Sequence, residues 1–79
     1  MSTKHDLLHE LPEFRDRIHA LKMRDSHFAR LFAEYHELDH EIHRIEQGVE
    51  PTSDAVLEDL KKQRLKLKDD LYQILKAQP

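Results

Sequence analysis

The chain has 79 residues, with 13 Lys+Arg against 16 Asp+Glu for a formal charge of −3, and 37% charged against 38% apolar positions. One glycine and three prolines leave too few turn formers for a many-stranded sheet, and the lack of cysteine excludes a disulfide framework, a thiolate metal site and a cysteine nucleophile. No apolar run reaches the ~18–20 residues that cross a bilayer, and Met1-Ser2-Thr3-Lys4-His5-Asp6 lacks the apolar core of a secretory signal, so a cytoplasmic, charge-rich, all-α protein is expected.

Residues 1–10 read as a partly ordered N-terminal segment. Leu11, Phe14, Ile18 and Leu21 then form an apolar stripe, and Pro12 suits a first helical turn, which predicts a short helix within residues 11–24. The next step of that stripe falls on Asp25, so the pattern changes phase at Arg24-Asp25-Ser26. A break or kink is expected there; one bent helix running on to Gln47 is the competing reading.

Residues 25–77 read as a helical hairpin with its turn at 48–53. Phe28, Leu31, Tyr35, Leu38, Ile42, Ile45 and Val49 step by three and four, the pattern of a coiled-coil seam. Asp25 or Ser26 can cap this helix. Gly48 supplies the left-handed residue that ends it, and Pro51 cannot continue it. Thr52-Ser53-Asp54 offers three caps for a second helix, whose seam is Leu57, Leu60, Arg64, Leu67, Leu71 and Ile74. A connection this short forces antiparallel neighbours.

Folding about the turn sets residues whose numbers sum to 102 opposite one another, which pairs Ile45 with Leu57, Ile42 with Leu60, Tyr35 with Leu67, Leu31 with Leu71 and Phe28 with Ile74. The exception is Arg64 opposite Leu38. Either Asp39 or Glu41 pairs with it, or its head snorkels to water. Two helices alone bury too little apolar surface to offset the entropy of ordering them. Phe32, Leu65, Tyr72 and Leu75 lie beside the seam towards the end away from the turn. Either the helix carrying Leu11–Leu21 covers them or a second chain does.

Three blocks, Leu11-Pro12-Glu13-Phe14-Arg15-Asp16, Leu38-Asp39-His40-Glu41-Ile42 and Leu60-Lys61-Lys62-Gln63-Arg64-Leu65-Lys66-Leu67-Lys68-Asp69-Asp70, resemble the YdcH-like family of small bacterial helical proteins of unknown function. The resemblance spans about Leu11 to Leu75. It implies a helical hairpin or coiled coil and a bacterial, cytosolic origin, and it supplies no catalytic residue.

His36-Glu37-Leu38-Asp39-His40 matches H-E-x-x-H, which in zinc proteases sets two ligands one turn apart with a Glu as general base. A hairpin offers neither the third ligand nor a cleft, so this match reads as coincidence. His36, His40 and His43 share one outward stripe and form the candidate surface metal site, set against three solvated histidines. The basic run at Lys61, Lys62, Arg64, Lys66 and Lys68 offers phosphate contacts on RNA, DNA or a ribosomal surface, with Lys61, Lys62, Lys66 and Lys68 as the contacting residues. Against that, the run faces Glu34, Glu37, Asp39, Glu41 and Glu46, so Lys61 and Lys68 can pair across the hairpin.

The expectation is an all-α antiparallel hairpin with a short additional N-terminal helix, non-enzymatic and without cofactor or small-molecule substrate. It works as an interaction module through self-association or a protein partner, with Phe32, Leu65, Tyr72 and Leu75 as the interaction surface. A nucleic-acid- or ribosome-associated factor is the alternative.

Overall fold

The computed structural model describes residues 7–77, so of the N-terminal segment only residues 7–10 can be compared with expectation. Four helices follow in order: α1 (Leu7–Glu10), α2 (Arg15–Arg24), α3 (Ser26–Glu46) and α4 (Asp54–Ala77), with a 3₁₀ turn at Pro12–Phe14 leading into α2. Among the described residues there is no strand, and no helix is long and apolar enough to cross a membrane.

The two ends of α3 and the start of α4 have local causes. Asp25 is extended (φ −124°, ψ 103°) and its carboxylate accepts a hydrogen bond from Phe28 N–H at 3.1 Å, so the break between α2 and α3 is the observed form rather than one bent helix. At the far end of α3, Gly48 takes φ 81°; its N–H donates to Ile45 O and Val49 N–H donates to Arg44 O, both at 3.0 Å. These two bonds satisfy carbonyls that a helix end otherwise leaves free. Ser53 Oγ accepts from Val56 N–H at 3.2 Å and caps α4. Nothing lies within 4 Å of a Cβ built on Gly48. Gly48→Ala should therefore cost only the left-handed backbone penalty, about 1–2 kcal/mol, read as a lower urea midpoint at unchanged slope.

One contact between α3 and α4 agrees with the expected register of the hairpin. Arg64 Nη1 lies 2.8 Å from Asp39 Oδ1, one position from the predicted facing residue Leu38. Of the two fates weighed for Arg64, pairing is the one observed. Val49 is 70% exposed, so the apolar seam of α3 stops at Ile45.

The core sits at the open end, away from the turn. Leu7, Ile18, Leu21, Phe28, Tyr35, Leu71 and Leu75 form one buried cluster, flanked by half-buried Leu11, Phe14, Phe32 and Ile74. The N-terminal segment thus folds back over the hairpin within the same chain. Arg17 Nη1 donates to Leu75 O at 3.0 Å, using a carbonyl freed at the end of α4. Lys68 forms an ion pair with Glu10.

Candidate interaction surface

The four residues expected to form an exposed surface do not stay together. Leu75 is completely buried, which removes it from that surface. Phe32 and Tyr72 are half-buried, because α2 and the 3₁₀ turn before it supply a third wall that hairpin periodicity does not reveal. The Tyr72 ring meets Phe14 edge-on at 5.9 Å between centroids, and the Lys22 ammonium sits 4.3 Å from the centre of the Phe32 ring. Leu65 is the one that remains open to solvent, 59% exposed midway along α4.

Around Leu65 the charges are arranged rather than loose. Lys61 Nζ lies 2.9 Å from Glu46 on α3, as a cross-hairpin pairing requires. Lys68 finds its carboxylate elsewhere, on Glu10 of α1, so the expectation that it pairs with α3 is corrected. Lys66 reaches Asp70 one turn away at 3.5 Å. Among the described residues Lys62 alone of the four candidate phosphate contacts has no carboxylate within ion-pair distance. Each compensated lysine attracts a phosphate less than a free one does, and Lys66, more exposed than Lys61 or Lys68, holds its partner weakly. The acidic residues of α3 divide between the two flanks: Asp39 and Glu46 serve the basic run, while Glu34, Glu37 and Glu41 line an open cleft with Leu38 and Leu67 on the other side.

The histidines also separate. His36 is half-buried rather than solvated: its Nδ1 is 3.0 Å from Phe32 O, and Leu7 N–H points at its Nε2 from 3.4 Å. Both contacts fit a ring that donates from Nδ1 and accepts at Nε2. Its ring also lies 4.4 Å from Phe32, centre to centre. His40 is exposed and His43 half-buried. No group of three His, Cys, Asp or Glu side chains among the described residues could hold a metal ion, so His36, His40 and His43 do not form the candidate site. Sequence spacing could not reveal this, because α1 reaches His36 from outside the hairpin.

Residues 28–75, the hairpin itself, match the family described as "Protein of unknown function (DUF465)". The chain is 40% identical over 67 residues to "Uncharacterized protein YdcH" of Escherichia coli (strain K12), covering 85% of this chain and 90% of the relative. The same figures hold for "Uncharacterized protein YdcH" of Shigella flexneri. No solved structure matches the chain.

Proposed function

We propose, for a chain that belongs to the DUF465 family of proteins of unknown function, the role of a non-enzymatic helical interaction module that engages a second copy or a protein partner. The observation that carries this reading is Leu65. It is a large apolar side chain 59% exposed on a long helix, with Lys61 and Lys68 on either side already held by carboxylates. An apolar centre inside a charged collar is the pattern by which a contact excludes water from its middle and keeps a polar rim. The long helices supply length and rigidity, and the N-terminal segment covers the apolar residues at the open end of the hairpin.

Leu65→Asp tests this. Because the position is exposed, stability should stay within about 0.5 kcal/mol of the parent. Light scattering should show the parent rising above its 9.5 kDa chain mass with concentration and the variant remaining there. If the parent is a strict monomer and Leu65→Asp keeps every crosslinked partner of the parent, the reading is wrong.

A further inference from the structure

α2 and α3 meet at a single residue. Asp25 N–H donates to Leu21 O at 2.8 Å, completing α2, and Asp25 O accepts from Ala29 N–H at 3.0 Å, starting α3. Both hydrogen-bond ladders reach Asp25, and its extended backbone alone parts them. Its side chain stabilises the parting by capping Phe28 N–H. Rotation of this one residue into the helical region would give a single helix from residue 15 to residue 46. The amides of Ser26, His27 and Phe28 would then find carbonyl partners on Lys22, Met23 and Arg24.

On that straight helix the apolar residues of α2 and α3 fall on one face, with Asp25 and Asp39 as its two charged positions. Ile18, Leu21, Asp25, Phe28, Phe32, Tyr35, Asp39 and Ile42 step by three and four without interruption, and Phe14 extends the series by one more step of four. Asp25 and Asp39 occupy equivalent places in it, two heptads apart. Asp39 is neutralised by Arg64; Asp25 acts as a cap. In the closed chain Ile18 and Leu21 fold back onto Phe28, Tyr35, Leu71 and Leu75. Straightening would carry them past the open end of the hairpin and bare both surfaces at once.

We propose that a second copy of this chain is the alternative occupant of the bared face, reached by straightening at Asp25. In the exchanged dimer residues 7–24 of each copy cover Phe28, Tyr35, Leu71 and Leu75 of the other around a two-fold axis. Two features select a second copy over an unrelated partner. The face is already complementary to this segment, and the stripe, expected from the sequence to change phase at residues 24–26, is on a continuous helix interrupted by Asp25 alone and resumes in register at Phe28. The core contacts are remade between chains, so the closed and exchanged forms differ chiefly at the joint. The proposal rests on the self-association arm of the interaction reading, but not on Leu65.

Asp25→Leu removes the cap and completes the stripe. At concentrations where the parent still scatters as a 9.5 kDa chain, the variant should move towards twice that mass, with dimer affinity raised roughly tenfold or more. Spin labels on Arg15→Cys and Glu34→Cys, both exposed positions, should move to about 28 Å apart along a continuous helix. Ser26→Pro is the lock. Position 26 opens α3, where proline is tolerated after an extended residue, yet proline there interrupts a continuous helix. Added to Asp25→Leu, it should restore the monomer. An Asp25→Leu chain that stays monomeric, whether folded or not, or an assembly that Ser26→Pro leaves intact, overturns the proposal. Association abolished by Leu65→Asp but untouched by Ser26→Pro would sink the exchange and leave the interaction reading standing.

Discussion

Replacing Arg64 with alanine should lower the unfolding free energy by about 3–5 kcal/mol, close to half of what a chain of this size has. Asp39 is 6% exposed, and its carboxylate is held by Arg64 at 2.8 Å. Among the described residues no buried side-chain polar atom lacks a partner, so removing the guanidinium creates the one uncompensated group in the hairpin. Most of the expected loss is the cost of an abandoned carboxylate, not the worth of the pair. The double replacement Asp39→Leu with Arg64→Leu should consequently recover most of the stability, because an apolar layer needs no partner. Urea denaturation of the two single variants and the double variant gives the coupling directly. A single-variant loss below about 1 kcal/mol would show that water reaches Asp39 and that the pair behaves as a surface one.

Phe28→Ala should cost a similar amount, about 3–5 kcal/mol, for an unrelated reason. Phe28 is completely buried and lies where α2, α3 and α4 converge, with Ile18, Leu21, Tyr35, Leu71 and Leu75 in the same cluster. Truncating it removes apolar contacts from all three helices and leaves a hole that fixed backbones cannot fill. Leu57→Ala, at a half-buried site near the turn, should cost only about 1–2 kcal/mol. Equal losses at the two sites would mean that the core runs evenly along the hairpin instead of gathering at its open end. Thermal unfolding by circular dichroism distinguishes the cases.

The hairpin was legible because its causes are local. Three-four stepping of Phe28 to Ile45 and Leu57 to Ile74, a capping Asp25 and Ser53, and one glycine before a proline each act over a few residues. The same arithmetic put Arg64 opposite Leu38 and within reach of Asp39, but left Glu41 and solvent open as alternatives, between which only the structure decides. What the N-terminal segment does was not legible. Arg17 on the carbonyl of Leu75, Glu10 on Lys68 and Leu7 on His36 join distant parts of the chain, and no period in either partner announces them. For that reason Leu75 read as a side-facing residue, His36 as a solvated one and Lys68 as a partner of α3. The division of the acidic residues between two flanks was hidden similarly: helical spacing places them on α3 but does not say which edge α1 will occupy.

Leu7 and Leu75, near opposite extremes of the described chain, are both sealed in one core. During synthesis α2 and α3 can meet as soon as both exist, but the wall that Leu71 and Leu75 give this core comes only with the end of α4. Contacts of such large sequence separation carry the highest closure cost of the fold. Loss of the last turns of α4 should therefore open the core at Leu7, Ile18 and Phe28 while leaving the turn-proximal part of the hairpin intact.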